Sequence, residues 1–236
     1  MLSVHKNITK LFKNVRLLQS TRNNECKDYY HNMYCDFLKY KPKTFKYLPI
    51  CINSEKSYKC AIAYDGCNLK YISNINELSK LAILQNGLAL KYVPNNLRDF
   101  DICIQAVNQN GLALEYVPKE LITLELCYLA IKNNGLALKF IPNKFYCDNI
   151  FQKALESNPW SLQYIPDNHI TYDYCFDSVK KNVHTLCIIP VNFRTKEMCY
   201  YAVSINAVVL CDVPKYLYSK ELYDIVYNYY YINTKI

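Results

Sequence analysis

The chain has 236 residues, of which 51% are apolar and 20% charged, with a formal net charge of +8. That composition can build a core, which excludes disorder as the default, and four glycines with nine prolines are too few for a loop-rich β architecture. The basic balance admits partners with phosphate or acidic surfaces without requiring them.

The first 24 residues carry no acid. Over residues 3–19, Val4, Ile8, Leu11, Phe12, Val15 and Leu18 fall at helical spacing with Lys and Arg opposite. Residues 1–25 are therefore expected to be a basic N-terminal capping helix; a membrane-surface or targeting helix and a nucleic-acid arm are the alternatives. No apolar run approaches the roughly 20 residues that span a bilayer. With no uninterrupted apolar leader, the expected setting is intracellular and not secreted.

From residue 26 to 218 the chain repeats. A short phrase recurs as Phe45-Lys-Tyr-Leu-Pro49, Leu69-Lys-Tyr-Ile-Ser73, Leu90-Lys-Tyr-Val-Pro94, Leu114-Glu-Tyr-Val-Pro118, Leu138-Lys-Phe-Ile-Pro142 and Leu162-Gln-Tyr-Ile-Pro166. Two weaker copies follow, Leu186-Cys-Ile-Ile-Pro190 and Leu210-Cys-Asp-Val-Pro214. The step is 24 residues except for one of 21. Seven positions before each phrase ends stand Pro42, Gly66, Gly87, Gly111, Gly135, Pro159, Val183 and Ala207, so every glycine and every proline falls in one of two phases. Asn-Gly at 86–87, 110–111 and 134–135 reads as a helix stop in which glycine takes the left-handed conformation. Asn182-Val183 and Asn206-Ala207 depart from it, so the last two helices are expected to end differently. Upstream of each stop a helical stripe recurs: Ile102, Cys103, Ala106 and Val107; then Leu126, Cys127, Ala130 and Ile131; then Ile150, Phe151, Ala154 and Leu155. The segment after each stop, such as Leu112–Val117, reads as a second short helix through its Leu112/Tyr116 and Ala113/Val117 pairs.

The fold expected is thus an all-α solenoid of about eight 24-residue two-helix repeats in one continuous array, because one unit cannot bury its own apolar face. The alternative is a leucine-rich-repeat-like α/β horseshoe, if Leu-x-Leu-x-Tyr forms a strand. Residues 219–236, with Leu222, Tyr223, Ile225, Val226, Tyr229 and Tyr230, are expected to be a C-terminal capping helix.

The phrase Ala-x-x-x-Asn-Gly-Leu-Ala-Leu-x-Tyr, at 82–92, 106–116 and 130–140, resembles a helical repeat family of unknown function abundant in giant viruses related to mimivirus. The resemblance runs over roughly 57–166. It implies a helical array in a viral protein of the host cytoplasm or the virion, and it brings no catalytic residues.

The chemistry-bearing residues point away from catalysis. There is no Gly-rich phosphate loop, no G-x-S-x-G and no H-E-x-x-H. Cys103, Cys127, Cys175 and Cys199 share one phase and Cys187 and Cys211 another; without C-x-x-C pairs and with four scattered histidines they read as small core residues, not metal ligands. No enzyme activity, cofactor or metal is expected. Two stripes are candidates for interaction. Lys46, Lys70, Lys91 and Lys139 share one phase, interrupted by Glu115 and Gln163. They make a basic ladder that could follow a phosphate backbone, or a solvated face. Tyr128, Phe176, Tyr200 and Tyr201 follow the Cys phase and are interface anchors if they point outward, core if inward. The partner expected is another protein, with nucleic acid as the alternative and a structural virion role third.

Overall fold

The computed structural model describes residues 54–72 and 76–233, together with Asn32, Cys35, Asp36, Leu38 and Lys39. The basic segment 1–25 and Lys46 lie outside the described residues. Contacts in a repeat array are local in sequence, and the chain divides into two compact units, Met1–Leu121 and Ile122–Ile236.

The first unit contains α1 (Glu55–Tyr64), α2 (Asn76–Gln85) and α3 (Phe100–Gln109). The second contains α4 (Leu124–Asn133), α5 (Asp148–Ser157), α6 (Tyr172–Lys181), α7 (Lys196–Ile205) and α8 (Lys220–Asn233). From α2 onward the helices begin 24 residues apart, and α1 precedes α2 by 21. The expected stripes are the core: Ile102, Cys103, Ala106 and Val107 are buried in α3, and Ile150, Phe151, Ala154 and Leu155 in α5. The helices start as their sequences dictate. Asp99, Thr123, Thr171, Thr195 and Ser219 each accept from the backbone N–H three residues on, satisfying a donor the helix itself cannot.

After each of α1–α7 comes a six-residue 3₁₀ helix, as at Gly87–Tyr92, Gly135–Phe140 and Val183–Ile188. No strand occurs among the described residues, so the horseshoe alternative is set aside and the fold is an all-α solenoid of repeats. The second helix is tighter than an α-turn, and its side chains meet at i, i+3. Gly87, Leu90 and Val93 form one buried edge, with Ala89 buried beside them. Runs this long are uncommon in isolation; here one end is capped and the other is followed by proline. Pro94, Pro142, Pro166, Pro190 and Pro214 each open a further three-residue 3₁₀ turn, accepting from the third residue on. That turn links one repeat to the next helix.

The junction between the two helices of a repeat corrects the expected glycine stop. No glycine among the described residues has a positive φ. The stop is made by Asp65, Asn86, Asn110, Asn134, Asn158, Asn182 and Asn206. Each sits in extended backbone and donates its N–H to the fourth residue back. Each side chain accepts from the N–H two residues ahead, at 2.9–3.0 Å. One Asx residue thus ends the α-helix and starts the 3₁₀ helix. Helices α6 and α7 end as the others do, contrary to the expectation drawn from Val183 and Ala207.

Glycine serves a different need. A Cβ on Gly87 would collide with the backbone carbonyl oxygen of Ala106 in the next repeat, and one on Gly135 with that of Ala154. The following helix rests on the glycine itself. Ala106 and Ala154 are fully buried, so small residues meet across the contact.

Candidate interaction surfaces

Each repeat presents two outer edges, one along the α-helices and one along the 3₁₀ helices. On the 3₁₀ edge of the first unit, Lys70 and Lys91 are exposed. The Lys70 ammonium lies 4.5 Å from the Tyr71 ring centre and 6.0 Å from that of Tyr92, and its hydrogen bond with Tyr71 raises its pKa. Lys91 lies 5.8 Å from the Tyr116 ring centre. Each lysine thus covers an aromatic ring in its own or the next repeat. In the second unit the same phase reads Lys139, Gln163, Cys187 and Cys211. Lys139 lies over Phe140 at 5.4 Å, and no basic residue follows it at that phase.

Two arginines on this edge share one repeat phase, four repeats apart, and stand outside the two stripes read from the sequence. Arg98 donates from Nε to the Val93 carbonyl at 2.8 Å and from its terminal nitrogens to Tyr116 and Lys91 at 2.8 and 3.2 Å. Arg194 repeats the pattern with Ile189, Asp212 and Cys187 at 2.8, 2.6 and 3.1 Å. Each guanidinium ties the carbonyl ends of two successive 3₁₀ helices, which the 3₁₀ geometry leaves without internal donors. Burial lowers the Arg98 pKa. Arg98 also lines a groove of about 360 Å³ with Glu115, Tyr116, Lys119 and Glu120.

The aromatic stripe lies on the α-edge of the second unit and separates into two kinds of residue. Tyr200 is core: it is 9% exposed, and its hydroxyl meets the Leu217 carbonyl at 3.2 Å and Ser219 Oγ at 2.6 Å. As a candidate contact residue it is corrected, because its ring turns toward the cap of α8. Tyr128 is half-buried and lines a groove of about 680 Å³ with Lys132, Asn149, Lys153, Glu156 and Ser157 on α4 and α5. Phe176 and Tyr201 meet edge to face at 5.8 Å, and Tyr172 lies 5.6 Å from Phe176. Tyr201 is 37% exposed and Ile205, one turn on, is 55% exposed. Tyr172, Phe176, Tyr201 and Ile205 therefore form an aromatic and aliphatic patch on α6 and α7. Lys180 lies over Phe176 at 4.4 Å, and the Tyr172 hydroxyl reaches Glu197 at 3.3 Å. On α8, Tyr223 and Tyr227 are exposed as well.

The cysteines divide the same way. Cys103, Cys127, Cys175 and Cys199 are fully buried, and burial pushes each thiol up to about 11. They are core residues, as read. Cys187 and Cys211 are exposed on the 3₁₀ edge, which the reading of all cysteines as core did not foresee. Among the described residues no group of three or more His, Cys, Asp or Glu could hold a metal ion, and no helix is long and apolar enough to cross a membrane.

A family model, Domain of unknown function (DUF4116), matches twice in tandem, over residues 76–122 and 123–170. Each match spans two of the 24-residue repeats: α2 and α3 in the first, α4 and α5 in the second. The chain therefore carries a tandem repeat of unknown function, and the matches stop short of the aromatic patch. No curated protein and no solved structure matches the chain.

Proposed function

We propose that this protein is a non-catalytic repeat scaffold that binds another protein through the patch of Tyr172, Phe176, Tyr201 and Ile205. The observation that supports this reading is a set of interlocked aromatic rings on two successive helices, with Tyr201 and Ile205 exposed and Tyr172 and Phe176 half-buried, ringed by Lys180 and Glu197. An aromatic centre with a charged rim is the usual make-up of a protein contact. Regular helices and short turns leave little irregular backbone from which to assemble a catalytic site. The setting we propose, from the resemblance to giant-virus repeats, is an infected cell or a virion, where a structural role is compatible with binding.

The test is affinity capture from host lysate with nuclease present, comparing the native chain with Phe176→Ala/Tyr201→Ala. A protein captured by the native chain and lost with the double variant supports the patch. Equal capture by both refutes it. A second reading, nucleic-acid binding, draws on the ring-backed Lys70 and Lys91. It requires an affinity that falls steeply between 50 and 200 mM salt, as phosphate contacts do.

A further inference from the structure

Cys187 and Cys211 occupy one position in successive repeats of the second unit, and both are exposed. Two ties bracket them. At one end of the paired 3₁₀ helices, His184 Nε2 lies 3.4 Å from Asn206 Nδ2. At the other, the Arg194 guanidinium holds the carbonyl of Cys187 itself and that of Asp212, the neighbour of Cys211. Terminal guanidinium nitrogens sit close together, so the two backbones are drawn in on either side of one cation. Burial raises the Cys187 pKa; the Asp212 charge and, least, Cys211 add to it, while Arg194 opposes it. The Cys211 thiol meets the Val208 carbonyl of its own helix at 3.4 Å, a weak contact and easily released.

We propose that Cys187 and Cys211 are an oxidisable dithiol that closes to a disulfide between adjacent repeats when a peroxide supplies the oxidising equivalents. One thiolate attacks the peroxide oxygen, forming a sulfenic acid and releasing hydroxide. The second thiol then displaces water at that sulfur, forming the S–S bond. In sum two thiols and one hydrogen peroxide give one disulfide and two waters. Closure needs the two Cα atoms within about 4.4–6.8 Å, and it is the direct packing of the two 3₁₀ helices on each other, tied at both ends, that brings the pair together. The bond joins the repeats of α6 and α7, whose outer faces carry Phe176 and Tyr201.

The test treats the reduced full chain with equimolar hydrogen peroxide, alkylates remaining thiols and digests with trypsin without reduction. Cleavage at Lys181, Arg194, Lys196 and Lys215 puts Cys187 in one peptide and Cys199 with Cys211 in another. The expected product is these two peptides joined, two hydrogens lighter than their sum and separated by reductant. It vanishes in Cys187→Ser and in Cys211→Ser and persists in Cys199→Ser. Exposed Cys147, beside Tyr128, serves as the unpaired reference. The proposal is overturned if Cys187 and Cys211 advance separately to sulfinic acids as Cys147 does, or if the link survives Cys211→Ser.

Discussion

Repeats that begin their 3₁₀ helix with glycine and those that begin it with Pro159 or Val183 are built on one frame with different tightness. At Gly87 and Gly135 the next helix rests on bare backbone, and an acceptor from the next repeat takes the glycine N–H: Gln109 Oε1 for Gly87, Ser157 Oγ at 3.0 Å for Gly135. Gly66 is clasped likewise by Gln85 at 2.6 Å. Pro159 has no N–H to clasp, and Lys181, which holds the clasping position, donates to the Leu155 carbonyl at 3.1 Å instead. Opposite Val183 that position is Ile205, which has no acceptor. Correspondingly α5 packs less extensively on α6, and α6 on α7, than α4 on α5. The Asx cap persists throughout, so the helix stop is separable from the close approach. The loosened junction between α6 and α7 is flanked by half-buried Phe176 and exposed Tyr201 and Ile205 on one edge and by exposed Cys187 and Cys211 on the other.

The largest effect should come from forcing a side chain into a tight repeat. Gly87→Val or Gly135→Val drives a branched carbon into the Ala106 or Ala154 carbonyl and should cost about 3–5 kcal/mol, read as a fall in the denaturation midpoint. Val183→Gly should cost about 1–2 kcal/mol, since only buried methyl groups and chain entropy are lost there. Equal losses at both kinds of site would end the distinction.

Next in size is alkaline pH. The four buried thiols sit at about 11 in the fold, against 9.0 for an ordinary cysteine. Between those values the unfolded chain has lost protons that the folded chain retains, so stability falls as pH rises from 9 towards 11. The loss is on the order of 2 kcal/mol per thiol. It is present in both kinds of repeat, since Cys103 belongs to a glycine repeat and Cys175 to a loosened one. Cys103→Ala and Cys175→Ala should each flatten the alkaline limb of a stability–pH curve. An unchanged limb in both would remove the buried thiols as its cause.

How much of this was legible in the sequence depended on length of signal. The α-helices and their buried residues were, because four apolar positions recur at helical spacing in unit after unit. The short second helices were legible as helices but not as 3₁₀, because six residues such as Gly111–Tyr116 cannot separate periods of 3 and 3.6. The role of glycine was misread because Asn-Gly is also the signature of a left-handed stop, and only the neighbouring repeat reveals the carbonyl it makes room for. Tyr200 shares a phase with Tyr128 and Phe176, but Ser219, on the following helix cap, draws its hydroxyl inward. Arg98 and Arg194 share a phase, but Ile122, Tyr146 and Ile170 stand between them at that phase, so no stripe drew attention to them.

Arg98→Ala and Arg194→Ala compare one fork in each kind of repeat. Each strips three carbonyls of a charged donor and should cost about 1–3 kcal/mol. Lysine should not rescue either, since one ammonium cannot span carbonyls on two helices. The Arg194 variant should cost more, because Val183, in the first of the two repeats it ties, faces Ile205 and has no clasp. Hydrogen exchange at Val191–Phe193 against Asn95–Leu97 gives the comparison; equal protection loss in both would mean that the fork acts independently of tightness.

The smallest effect is also the most direct on what the clasp contributes. Gln109→Ala removes the acceptor from the Gly87 N–H and should cost about 1 kcal/mol, with faster amide exchange at Gly87. Ile205→Gln sets an acceptor at the corresponding place opposite Val183. It should recover about 0.5 kcal/mol, less than the glycine clasp is worth, because the Val183 side chain keeps α7 from closing fully. Slower amide exchange at Val183, with an unchanged rate at Gly135, would place the gain at that junction. No change at Val183 would mean that close approach of the helices must come first and that the clasp only follows it.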